Sequence, residues 1–157
     1  MYGMYRRPVS TKESLISVLR LALSESRALE REMVRTAETV DSPRLKALLL
    51  VFAESESKTA DRIAHMIATG VVDELEELVE KRGQMPQVVT EPFPDEDGKD
   101  PRKAVCNQVL SRQLRAYSLY LRMSRMARSE LIRNIFEYLA YLKAVQLSKL
   151  RRVCTSL

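Results

Sequence analysis

The sequence has no tryptophan, a single histidine, two cysteines, four glycines and six prolines in 157 residues. So little glycine and proline argues against many short strands joined by turns and favours a few long helices. His65 has no second histidine to work with, and no nucleophile is spaced to meet an acid or base, so general acid–base catalysis has little support. A lone histidine beside a helical stripe reads as a surface or boundary residue. No glycine-rich phosphate loop is present, which removes the usual basis for nucleotide hydrolysis. No apolar run approaches the roughly 18–20 residues that span a bilayer. The opening stretch Met1–Pro8 lacks the apolar core of a signal peptide, so a cytoplasmic location is expected. Cys106 and Cys154 are too few for a disulfide framework, a zinc module or a four-cysteine electron-transfer domain. Two reduced packing thiols are the expectation, although both fall toward one end of the same expected hairpin, where a bridge is conceivable.

What is present fits one soluble domain with a sizeable core: 45% hydrophobic and 30% charged residues. The net charge of +5 is unevenly spread. Residues 101–157 carry twelve Lys or Arg against Glu130 and Glu137, whereas residues 1–100 hold fourteen basic and nineteen acidic residues. The second half is therefore strongly basic and the first mildly acidic.

Four long helices are legible. The first begins near Ser10, where Ser10-Thr-Lys-Glu13 has the form of a capping box. Leu15, Leu19, Ala22, Ser26, Leu29, Met33 and Ala37 then recur at steps of three and four. Asp41-Ser42-Pro43 caps and opens a second helix, with the stripe Leu45, Leu49, Phe52, Glu56, Thr59, Ile63 and Met66, ending near Gly70. Residues 71–83 predict a short helical piece, and 84–100 a long irregular connection rich in proline and acid. Asp100-Pro101 opens a third long helix, with Cys106, Val109, Gln113, Ala116, Tyr120, Met123 and Ala127 inward. Ser129 caps the fourth, whose stripe is Ile132, Phe136, Leu139, Lys143, Gln146, Leu150 and Val153. Hairpin 1 spans about 10–70, the crossover 71–100 and hairpin 2 about 101–154 of a single domain. The two hairpins align at one offset of 87 residues: Ser42 with Ser129, Leu45 with Ile132, Leu49 with Phe136, Ala53 with Ala140 and Ile63 with Leu150. An internal duplication is the simplest account.

The stripes are interrupted at mid-length by Ser26, Glu56, Thr59, Gln113, Lys143 and Gln146, which the same offset matches as 26 with 113, 56 with 143 and 59 with 146. Buried polar groups cost stability unless paired, so this layer is a candidate site. With segments 33–37, 45–56 and 136–143, the chain resembles the rubrerythrin-like branch of the ferritin superfamily, over roughly residues 12–68 and 101–153. The resemblance implies an all-α, ferritin-like four-helix bundle of two repeated helical hairpins joined by a long crossover. It also implies a dinuclear iron site held by one Glu from each of two helices and a Glu-x-x-His pair from each of the others. Placed on this chain, Ser26 and Gln113 stand where the single glutamates belong, Thr59 and Gln146 where the histidines belong, and Lys143 where a glutamate belongs. Glu56 alone matches. Neutral groups are weak iron ligands and a lysine ammonium repels a cation, so no cofactor is expected; iron would require another register of these positions.

In place of metal, a buried Glu56–Lys143 ion pair is expected, with Ser26, Thr59, Gln113 and Gln146 supplying hydrogen bonds. Tyr117, Tyr120, Tyr138 and Tyr141 read as packing residues, as do Met33, Met66 and Met123. No catalytic residue is expected. The leading expectation is a non-catalytic structural or interaction protein that forms a homo-oligomer. One alternative is a rubrerythrin-like metal-binding oxidoreductase with displaced ligands such as Glu25 or Glu30. A second is a nucleic-acid-binding bundle using a basic patch of Arg112, Arg115, Arg122, Arg125, Arg128 and Arg133. That patch suits an anionic partner, either nucleic acid or an acidic protein surface.

Overall fold

A computed structural model describes residues 11–70 and 73–157, so the Ser10 capping box lies outside the described residues. The described residues form helices and no strand: α1 (Thr11–Thr39), α2 (Pro43–Thr69), α3 (Asp73–Lys81), α4 (Pro101–Met126) and α5 (Glu130–Thr155).

Local chemistry sets the helix ends. Ser42 and Ser129 sit at equivalent starts, and each hydroxyl accepts the amide three residues on, from Leu45 at 3.3 Å and from Ile132 at 3.4 Å. Asp100 does the same work for α4 by accepting from the Arg102 amide at 2.9 Å. Pro43 and Pro101 occupy first helical positions, where the missing N–H costs nothing. Gly70 ends α2 with φ of 73°, a left-handed conformation open to glycine, and its amide reaches the Met66 carbonyl at 2.8 Å.

α1 packs along α2, and α4 along α5, as two antiparallel hairpins that meet through α2 and α5. Arg44, opening α2, donates to Ser156 at the end of α5 (2.6 Å). Val40 and Asp41, after α1, share a crevice with Pro101, Arg102 and Val105 at the start of α4. Each long helix therefore runs antiparallel to both of its neighbours. α2 and α4 consequently point the same way, and the chain between them must travel the length of the molecule.

That return is a strap along α5. Leu78 and Val79 of α3 pack at its beginning, lining pockets with Leu131, Ile135, Tyr138 and Leu139. Arg82 then reaches Glu137 (3.9 Å) and lies over the Tyr141 ring (5.8 Å). Further on, Arg151 donates to the carbonyls of Val89 (2.9 Å) and Glu91 (2.7 Å) and stacks over Phe93 at 4.3 Å. Phe93 is buried, and its amide and carbonyl are both bonded by the Asn107 side chain, at 2.7 and 3.1 Å.

The core runs between the hairpins, with Leu19, Leu29, Leu45, Leu49, Phe52, Phe136 and Leu150 essentially removed from solvent. Each such side chain contributes roughly 1.5–3 kcal/mol of burial. The expected stripes hold at their centres. Met123, Ala127, Ile132 and Val153 near the helix ends are only half-buried, and so is Thr59 at mid-length. The two cysteines correct the expectation of free thiols. Both are fully buried, with α-carbons 6.1 Å apart, and are joined as a disulfide clamping the start of α4 to the end of α5. Beside it, the Lys103 ammonium donates to the Cys154 carbonyl at 2.6 Å. No helix among the described residues is long and apolar enough to cross a membrane.

Candidate functional site

The offset that aligns the hairpins places Glu56 on α2 and Lys143 on α5 at equivalent positions, and α2 packs on α5. The two side chains meet: the Lys143 ammonium contacts the Glu56 carboxylate, with both groups almost wholly shielded from water. Gln146, one turn along α5, completes the cluster. Its Oε1 accepts from Lys143 Nζ at 3.1 Å, while its Nε2 donates to Glu56 Oε1 at 3.4 Å and to Ser55 Oγ at 3.5 Å. One amide thus bridges anion and cation, using its acceptor on one and its donor on the other. Burial, the larger influence, pushes the Lys143 ammonium down to about 7, and the nearby Glu25 carboxylate pulls it upward.

The other positions in the layer behave differently from expectation. Thr59 supplies nothing to the pair; it is half-buried and its hydroxyl bonds back to the Ser55 carbonyl at 3.0 Å. This is the usual local satisfaction of a helical threonine. Gln113 is completely buried, yet neither amide atom has a hydrogen-bond partner. Two turns further along α4, the Tyr120 hydroxyl is also buried and unpartnered. Burial and then Glu25 raise its phenol pKa, against opposing influences from Ser26 and Arg112. Ser26 thus lies among the groups around Tyr120 and makes no bond to the ion pair. Of the four residues expected to support Glu56 and Lys143, Gln146 alone does so.

Arg112 is not part of an open basic face. It crosses from α4 to α1, donating to Glu32 at 2.6 Å and pairing with Glu25 at 3.1 Å, with only 17% of its side chain exposed. Arg115, Arg122, Arg125, Arg128 and Arg133 remain exposed, as does His65.

As a metal site the layer has the wrong donors. Glu56 is the one carboxylate of the six positions, and it is engaged by an ammonium. Glu25 faces Arg112, and Glu30 pairs with Arg27 at 3.3 Å, so the carboxylates considered as displaced ligands already have cations beside them. No three of His, Cys, Asp and Glu converge among the described residues.

Sequence reasoning missed the strap anchors Phe93, Asn107 and Arg151 and the tie from Arg112 to α1. For Phe93 a signal existed: it is the one aromatic residue in a polar, proline-rich connection. Compared with family models, curated proteins and solved structures, the chain matches none.

Proposed function

We propose that this protein is a ferritin-like, rubrerythrin-like bundle in which the Glu56–Lys143 pair takes the place of the dinuclear metal, leaving a non-catalytic structural or interaction module. The observation that carries the reading is the lysine itself. At the depth where the resemblance calls for a bridging carboxylate, Lys143 brings a cation and pairs with the one remaining acidic ligand. A metal would have to displace that ammonium and would then find Ser26, Thr59, Gln113 and Gln146, none of them an anionic donor. The path of the crossover, which joins two parallel helices across the full length of the molecule, supports the ferritin-like part of the reading.

As a module of this kind the chain would self-associate. In support, Leu50 (45%) and Val51 (51%) on α2 and Val34 (39%) on α1 expose apolar surface on hairpin 1. On this reading the protein resides in the cytoplasm. The Cys106–Cys154 disulfide is a feature commoner in oxidising compartments, so a free-thiol titration of the protein as taken from cells checks this location.

The deciding experiment is metal analysis after anaerobic loading with ferrous iron and desalting. Iron well below one equivalent per chain, and the same in Glu56→Gln, is the expected result. Two irons per chain, lost in Glu56→Gln, would overturn the proposal in favour of an iron-dependent oxidoreductase.

A further inference from the structure

Residues 101–129 contain no Asp or Glu, in a chain that has 21 acidic residues. That stretch includes all of α4. Its inward face is occupied by Cys106, Val109, Gln113, Ala116 and Tyr120. The opposite face presents Gln108, Ser111, Arg115, Ser118, Arg122 and Arg125, all exposed, and Arg128 and Arg133 continue it around the turn into α5. Some arginines elsewhere are paired, as Arg27 is with Asp61, Arg82 with Glu137, Arg112 with Glu25 and Glu32, and Arg151 with the strap, whereas Arg20, Arg31, Arg35 and Arg152 are exposed and scattered over other helices. On this ridge, among the described residues, none of the five guanidiniums has an ion pair or hydrogen bond.

The acids are kept elsewhere by the fold. Residues 11–70 balance nine basic against nine acidic residues, whereas 71–100 carry ten acidic against three basic. The negative charge of the first hundred residues therefore lies in the crossover, whose strap is fastened along α5. The positive ridge on α4 stays uncovered.

Its chemistry narrows the partner. Every cation on the ridge is arginine, whose planar fork matches phosphate oxygens two at a time. Serine and glutamine between them add neutral donors of the kind that contact phosphates. From Arg115 to Arg125 the ridge is about 15 Å long at the helical rise, a length that faces four or five successive phosphates of one duplex strand. Tyr120 is buried and Tyr117 half-buried, so the ridge has no exposed aromatic platform on which unpaired bases would stack. We infer that the outward face of α4, continued through Arg128 and Arg133, docks the phosphate backbone of double-stranded nucleic acid without reading its sequence.

The test is fluorescence anisotropy of the full chain with a labelled DNA duplex of about 20 base pairs over a salt series. Binding at low salt is expected, with log K falling against log salt at a slope of about −4, the value for four to five neutralised phosphates. Arg122→Gln/Arg125→Gln should weaken low-salt binding at least ~10-fold and flatten the slope by nearly 2. Lys149→Gln/Arg152→Gln, which removes equal charge from α5, should change affinity less than ~3-fold. Circular dichroism establishes that both variants remain folded. No binding at low salt, or equal losses in the two variants, overturns the inference. Tighter binding to a single strand of the same length, or to vesicles with anionic headgroups, also overturns it. So does self-association abolished by the ridge variant with no duplex bound, which would assign the ridge to the acidic crossover of a second copy.

Discussion

Hairpin α1–α2 and hairpin α4–α5 start their second helices with the same serine cap, yet they carry different chemistry at matched depths. Where the first places Glu56, the second places Lys143; where the first has Ser26 and Thr59, the second has Gln113 and Gln146. The first hairpin's substituents are small or locally satisfied, as Thr59 is by Ser55. The second carries the long groups, and their fates diverge. Gln146 faces α2 and is fully used, whereas Gln113, on α4, is buried without a partner. The second hairpin is also the reinforced one, with a disulfide, a strap and an acid-free outer helix. The lesson is that helical periodicity constrains only the direction a residue faces. Whether a polar residue there is tolerable depends on what the opposite helix presents.

The sharpest way to break this comparison is at the charged pair. Lys143→Met leaves Glu56 buried beside an amide alone and should lower unfolding free energy by roughly 3–5 kcal/mol. Glu56→Leu/Lys143→Met should recover most of that loss, because no lone charge remains. An unchanged denaturation midpoint in Lys143→Met, or equally in Glu56→Ala, would show that the two side chains do not depend on each other. The pH profile adds a second signature. Lys143 titrates near 7 when folded and near its ordinary 10.5 when unfolded. Between those values the unfolded chain holds more protons, so stability should climb as pH rises from about 7 toward 10. The Met variant should lack that climb. Tyr120, whose pKa is raised, acts with the opposite sign only above its ordinary value of 10.

Next in size is the bridge that hairpin 1 lacks. Cys106 and Cys154 are separated by 48 residues in sequence, and opening a loop of that size should cost about 4 kcal/mol. Thermal unfolding of Cys106→Ser/Cys154→Ser should fall by roughly 8–16 °C, since each kcal/mol moves the midpoint about 2–4 °C at this chain length. A loss below about 1 kcal/mol would mean that the strap and Lys103 already hold those ends together.

The smallest effect is expected where the two hairpins differ most quietly. Gln113→Leu removes two unpartnered amide atoms from the core and should stabilise the protein by roughly 1–3 kcal/mol. Ser26→Ala, the matched change in hairpin 1, should stay within about 1 kcal/mol. Destabilisation by Gln113→Leu would show that the amide has a bonding role in solution.

The helices were readable because their signals are local. Caps, prolines and three-four spacing act within one or two turns, so Ser42, Pro43, Gly70, Asp100 and Ser129 marked their boundaries without knowledge of the fold. The meeting of Glu56 and Lys143 followed from the internal offset, which related two positions that propensity cannot connect. The fates of Arg112 and Gln113 were not readable. They are adjacent in sequence and both polar, but one emerges at the α1–α4 margin beside two carboxylates while the other turns inward and finds no hydrogen-bond partner. A single residue step rotates a side chain by roughly 100°, and only the packed neighbour decides what it finds there.

By itself, then, the sequence determined the helix boundaries, the inward stripes, the length of the crossover and the uneven charge, all properties written in short-range spacing and counts. The tertiary structure alone decided that Cys106 and Cys154 join, that Phe93 and Arg151 fasten the strap, that Gln146 rather than Thr59 serves the ion pair, and that Arg115, Arg122 and Arg125 stay bare while Arg112 is paired. Each of those outcomes depends on groups brought together from distant parts of the chain. Such meetings are set by how whole helices pack, and no local pattern encodes that.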